Sequence, residues 1–226
     1  MVDKMYNTMK NNYYAVNLDG EIVILDLKAN YFHFLDIEQS LEIEKYMNGL
    51  VSVNSKLDDY LFLFEKNSIL SKIVKYDDIE GIDNYSWSDV SHFVKNNNQD
   101  INILDKVSII ILYCILFTGK NYFFKQKVNL LKLLKKNTKY FNKDLDYANA
   151  AASFIHKVSS KLPFDLKCLE NALILAYFLA LKKHDFNLKI GIQKYDFLSH
   201  AWIEVDDVVV SDMPDLSARL AIILKI

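Results

Sequence analysis

Little in this chain of 226 residues can make tight turns or cross-links, since it holds 5 glycines, 2 prolines and 2 cysteines. So few turn formers point to long regular elements rather than to a loop-rich scaffold. Cys114 and Cys168 lie far apart and form no C-x-x-C pair. That excludes a disulfide framework and fits a reducing cytoplasm, the expected location. Neither sign of charge dominates: 27 basic against 29 acidic residues leave a net charge of −2, which removes the electrostatic basis for general binding to nucleic acid or acidic membranes. Residues 1–12 are polar and lack the apolar segment of a signal peptide. The most apolar run, Val107 to Thr118, stops at Lys120. It falls short of the ~20 residues that cross a bilayer, so a buried helix is expected there and no membrane span. His33, His92, His156 and His184 are scattered at no metal-ligand spacing. They read as structural or surface residues, and no metal site is expected. Gly119-Lys120 fails as a phosphate loop because position 114 is cysteine rather than glycine.

What is present suits a folded protein of the α+β class. Hydrophobic residues make up 51% and charged residues 25%, the balance of a chain with a real core. Tyr13 to Val16, Glu21 to Leu27 and Tyr31 to Leu35 are rich in β-branched and aromatic residues and read as strands, with Asp19-Gly20 and Lys28-Ala29-Asn30 as turns. Helical spacing follows over Glu38 to Met47, stopped by Asn48-Gly49, and a second helix is expected over Leu57 to Phe64. A polar stretch with the run Asn96-Asn97-Asn98 marks a junction. The division expected is a small domain over 1–80, a linker over 81–100, and a larger domain over 101–226. The larger domain opens with helices over 101–117, 122–134 and 143–159. The basic stretch from Lys120 to Lys139 reads as a solvated helix face. A helix over 169–181 and strands over 188–192, 201–205 and 208–210 complete it, with Asp206-Asp207 as a hairpin turn.

Three residues in this last part carry chemistry. Cys168 follows Pro163-Phe164-Asp165 and immediately precedes an apolar helix, so it sits at a helix N-terminus. There the unpaired backbone N–H groups and the helix dipole favour a thiolate, the nucleophile of cysteine hydrolases. His200 opens one strand and Asp212 ends the next. Counting back from the Asp206-Asp207 turn brings the two to the same end of an antiparallel ladder, where a carboxylate can hold an imidazole. A nucleophile on a helix, a base on a strand and an orienter on its neighbour make up a Cys-His-Asp triad. On this register Ser211 points to the opposite strand face, and its replacement by alanine should be mild.

The residues Cys168-Leu169, Ile190-Gly191-Ile192, Ser199-His200-Ala201-Trp202-Ile203-Glu204-Val205 and Val210-Ser211-Asp212 resemble the transglutaminase-like (papain-like) peptidase of lasso-peptide B proteins, in particular the fused, microcin-type members. The resemblance runs from about Ala150 to Ile226. It implies a cysteine protease that removes the leader from a lasso-peptide precursor and frees the core amine for macrolactam formation. Cys168 would be its nucleophile, His200 its base and acid, and Asp212 its orienter. Two departures touch substrate contacts: Glu170-Asn171-Ala172 stands where the family often has Arg-Ser, and Gln193 where it often has Arg. The N-terminal part resembles, more weakly, a winged-helix-like precursor-recognition domain, to whose sheet the leader peptide adds as a strand. Tyr31, Phe32, His33 and Phe34 would then be the receiving strand. The implied partners are the precursor peptide and an asparagine-synthetase-like cyclase. The implied ATP dependence has no visible binding residues in this chain and would fall to that cyclase. Two other classes share these features, a transglutaminase-fold acyltransferase using the same triad and a precursor-delivery module whose triad is vestigial. The intact triad argues against the second, and the peptide-docking sheet against the first.

Overall fold

A computed structural model describes residues 8–9, 13–47, 73–82, 100–117, 124–139, 142–162 and 167–226. It is an α+β chain that divides into two compact units, Met1–Glu80 and Gly81–Ile226.

In the first unit the strands β1 (Thr8–Met9), β2 (Tyr13–Leu18), β3 (Glu21–Asp26) and β4 (Tyr31–Phe34) pair in that order, all antiparallel. The two turns form as their residues dictate. Asp19 and Gly20 both take positive φ (49° and 88°), the conformation that a two-residue hairpin matching strand twist requires. Before Asn30 (φ 52°), the Asp26 carboxylate accepts the N–H groups of Lys28 at 2.7 Å and Ala29 at 3.0 Å. The helix α1 (Ile37–Met47) starts one residue earlier than its apolar spacing indicates, because Asp36 and Gln39 cap each other. Ala15, Ile22, Ile24, Leu35, Ile43 and Ile73 form the core. A short strand, β5 (Val74–Tyr76), runs parallel to β2 and has no counterpart among the strands expected from sequence. Three residues are too few to show a period. The helix expected over 57–64, and with it most of the winged-helix expectation, lies outside the described residues, as do residues 83–99 of the expected linker.

The second unit holds helices α2 (Ile103–Phe117), α3 (Phe124–Asn137), α4 (Leu145–Ser159) and α5 (Cys168–Leu181). They are followed by strands β6 (Asn187–Gln193), β7 (Leu198–Val205) and β8 (Val208–Val209), a one-turn helix α6 (Leu216–Arg219) and strand β9 (Ala221–Lys225). The sheet order is β8-β7-β6-β9, antiparallel throughout. α5 packs against α2, α3 and α4 as well as against β6 and β7, so residues 171–180 are all buried. A helix enclosed on every side must be apolar all round, which is why Ala172 to Ala180 shows no polar stripe. Each of its fully buried Leu, Ile and Phe side chains contributes about 1.5–3 kcal/mol. α2 departs from expectation. It buries Ile109, Leu112, Tyr113 and Leu116, while Ile103, Leu104, Val107, Ile110, Ile111 and Ile115 are exposed. Among the described residues it is covered along one face, and an apolar run cannot tell one covered face from two. Among the described residues no helix is long and apolar enough to cross a membrane.

Close packing between β6 and β7 leaves no room for a side chain at position 191. Gly191 pairs with His200, and a Cβ placed on it would lie 2.7 Å from Leu220 Cβ and 2.8 Å and 2.9 Å from the Trp202 ring. Gly191→Ala is therefore expected to destabilise the unit by about 1–3 kcal/mol through overpacking, measured as a lower urea midpoint with an unchanged slope.

Candidate active site

Cys168 is the first residue of α5, preceded by Lys167 in an extended conformation that supplies no side-chain cap. The first-turn N–H groups of α5 thus have no side-chain acceptor at the cap and stand beside the sulfur. The thiol is half-buried and free, and its Sγ lies 3.9 Å from the carbonyl oxygen of Ser199.

His200 and Asp212 meet through the β7–β8 hairpin. Asp206 and Asp207 turn the chain with positive φ (54° and 62°), and Glu204 pairs with Val209. Val210 N–H still donates to the Ile203 carbonyl at 2.9 Å, one residue beyond β8. Ser211 (φ 49°) then breaks the strand, and Asp212 closes on His200 with Nε2 to Oδ2 at 2.7 Å. The second oxygen of Asp212 accepts Met213 N–H at 2.7 Å. Burial alone would lower the His200 pKa, but hydrogen bonds with Asp212 and Cys168 outweigh it and raise it from 6.5 to about 9. The imidazole therefore stands protonated at neutral pH, between Asp212 and the Cys168 sulfur. With Nε2 committed to Asp212, Nδ1 is the nitrogen left for Cys168. The three residues singled out in the sequence thus lie together, and the set can attack a carbonyl and protonate a leaving group.

Below His200 a buried polar network fixes the strand. Trp202 stacks on the imidazole (centroids 6.1 Å apart, planes 12° off parallel) and donates its indole N–H to Glu204 at 2.9 Å. Glu204 pairs with Lys189 at 2.5 Å, and Ser217 bridges the two. Burial works against the Glu204 carboxylate, but the bonds from Lys189, Ser217 and Trp202 hold it below its ordinary value. Neither charge is visible in the sequence as buried, because a Lys and a Glu on neighbouring strands read as surface residues.

An open cleft runs over Cys168, with Ala152, Ile155, His156, Asn171, Trp202 and Asp212 among its lining residues. His156 thus belongs to the cleft wall rather than to the surface. Burial holds its pKa below the ordinary value, so it is neutral where His200 is charged. Its signal in the sequence is helical spacing, since Asn149, Ala152 and His156 fall on one face of α4. Of the family departures, Asn171 lines the cleft, whereas Gln193 is structural. Gln193 is buried and accepts Ile82 N–H at 2.6 Å, while its amide donates to the Ile82 carbonyl at 3.3 Å. His184 is buried and stacks on Tyr147 at 4.7 Å, and His33 lies edge-on to Tyr31 at 5.1 Å. Cys114 is exposed on α2. Among the described residues no group of His, Cys, Asp and Glu could hold a metal ion.

The thiol thus stands at a helix start, with the histidine and the aspartate brought together by the neighbouring antiparallel sheet. Residues 124–225 match the family model of the transglutaminase-like superfamily, and the second unit carries a transglutaminase-like domain. The chain is also similar, with 33% identity over 63 residues, to the microcin J25-processing protein McjB of Escherichia coli. That match covers 28% of this chain and 30% of the relative. No solved structure matches. The domain and the partial likeness together support the resemblance to lasso-peptide B proteins.

Proposed function

We propose that the chain matures a lasso peptide by cleaving the leader from its precursor, with Cys168, His200 and Asp212 as the catalytic triad. The observation that carries this reading is the buried imidazole of His200, held by Asp212 at 2.7 Å and hydrogen-bonded with Cys168, with both of those partners lining an open cleft. In this reading the Cys168 sulfur, as the thiolate paired with the His200 imidazolium, attacks the carbonyl of the last leader residue, and as the C–N bond breaks His200 passes its proton to the departing core amine. The leader acyl group is left as a thioester. A water molecule, losing a proton to His200, attacks that thioester, so that the leader leaves as a carboxylate and the thiol is restored. Positive charge on His200 and the N–H groups at the start of α5 stabilise the developing oxyanion. The freed core amine is the substrate of an asparagine-synthetase-like cyclase, which holds any ATP that the pathway consumes. The similarity to a microcin-processing protein supports the substrate class. Mass spectrometry of a synthetic precursor incubated with the chain tests the activity. Two fragments whose masses sum to the precursor plus one water are expected, and persistent intact precursor would contradict it.

The leader docks, in this reading, as an added strand beside Tyr31, Phe32, His33 and Phe34, the last strand in the sheet order among the described residues. Leu35 N–H donates to Ile22 at 3.0 Å, so alternation turns the N–H groups of Phe32 and Phe34 away from β3. Phe32→Pro removes one outward donor while sparing the β3 ladder. Leader affinity should fall about fivefold to tenfold, the worth of roughly one hydrogen bond, with cleavage restored at high precursor concentration. Fluorescence anisotropy with a labelled leader measures it, and unchanged affinity would move the docking strand elsewhere.

A further inference from the structure

We propose that Asn149 is a positioning residue for this site, which holds Ser211 in a left-handed turn and thereby fixes the Asp212 carboxylate on His200. Ser211 has φ 49°, a conformation that costs a non-glycine residue about 1–2 kcal/mol. Something must offset that cost, and both donors of Ser211 converge on one acceptor. Its backbone N–H and its hydroxyl each reach Asn149 Oδ1 at 2.9 Å. Asn149 is buried on α4, a helix of 15 residues whose start is capped by the Asp144 carboxylate. The acceptor therefore belongs to a rigid element and not to the turn it holds. Removing it would leave two donors without their acceptor, and Ser211 would relax toward negative φ. That rotation acts on the next residue, Asp212, whose Oδ2 must stay within hydrogen-bonding reach of Nε2. An amide is suited to this role because it accepts both bonds without adding charge. The groups acting on the His200 charge are Asp212 and Cys168, with His156 on the same cleft wall as Asn149's helix.

This inference rests on the triad proposed for the site, and its test separates the two. The His200 ring is titrated by proton NMR in the full chain, its signal assigned by loss in His200→Gln. The wild-type midpoint is expected near 9 against the ordinary 6.5. In Asn149→Ala it should fall by about one pH unit or more, as the carboxylate leaves hydrogen-bonding distance. Ser211→Ala, which loses one of the two bonds, should show a smaller fall in the same direction. Asn149→Asp keeps the acceptor and should hold the midpoint at or above the wild-type value. A loss of stability alone would not move a folded-state titration. A folded Asn149→Ala with an unchanged midpoint overturns the inference and leaves the triad standing. A wild-type midpoint near 6.5 overturns the His200–Asp212 pair and this inference with it. Should Asn149→Ala not fold, Ser211→Ala decides the matter, and an unshifted midpoint there overturns the inference.

Discussion

Asp212→Asn is expected to slow precursor cleavage by about two orders of magnitude or more while leaving precursor binding nearly unchanged. Asparagine keeps the shape but loses the charge that stabilises the His200 imidazolium, and it can present an N–H where His200 needs an acceptor. His200→Ala should be at least as damaging. The double variant should be little worse than the worse single one, because groups acting as a unit fail together. Single-turnover cleavage assays measure all three. Stability carries a second signature of the same pair. The folded His200 pKa, about 9, lies above its ordinary 6.5. The stabilisation that His200 gains from Asp212 and Cys168 together is therefore complete below pH 6.5 and is lost as the pH rises through about 9. It is on the order of 3 kcal/mol. Urea unfolding across that range should show this decline in the wild type and a smaller one in Asp212→Asn.

Cys168→Ala is expected to abolish cleavage outright, with leader affinity within about twofold of wild type, since Cys168 is no part of the proposed docking strand. Without the sulfur no thioester forms, and neither His200 nor Asp212 can replace it. Cys168→Ser should fail almost as fully, because a hydroxyl in the same place is a far weaker nucleophile than a thiolate. Cys114→Ala, on the exposed face of α2, is the control and should cleave like the wild type. Mass spectrometry of the precursor, with anisotropy in parallel for the leader, measures both effects. Cleavage by a folded Cys168→Ala would remove the thiol from the chemistry.

How much of the fold and site is legible in the sequence depends on whether a feature is local. The Asp19-Gly20 and Asp206-Asp207 turns can be read because their conformations rest on residues that tolerate positive φ. The second of these turns also sets the count that brings His200 beside Asp212. α5 is legible because its buried apolar run leaves its signature in one continuous stretch. The features that escape the sequence depend on contacts between distant segments. β5 exists because β2 offers it a partner, and β9, also absent from the expected strands, pairs with β6 across α6. The apolar run of α2 reads as a buried helix, yet half of that helix is exposed. Ser211 reads as an outward strand residue whose loss would be mild. The strand ends at Val209 instead, and Ser211 forms the turn that delivers Asp212. Asn149 and His156, one polar and one titratable side chain on α4, give no local sign of the cleft they serve.

The fate of the leader's acyl group tests the central claim most directly. Wild-type chain and precursor are incubated in heavy-oxygen water, and the released leader is weighed. Attack of water on a Cys168 thioester predicts a free leader whose new carboxylate carries one heavy oxygen, and no such product from Cys168→Ala. A leader found joined to an amine, or an intact precursor after long incubation, would contradict a peptidase and leave this site to other chemistry.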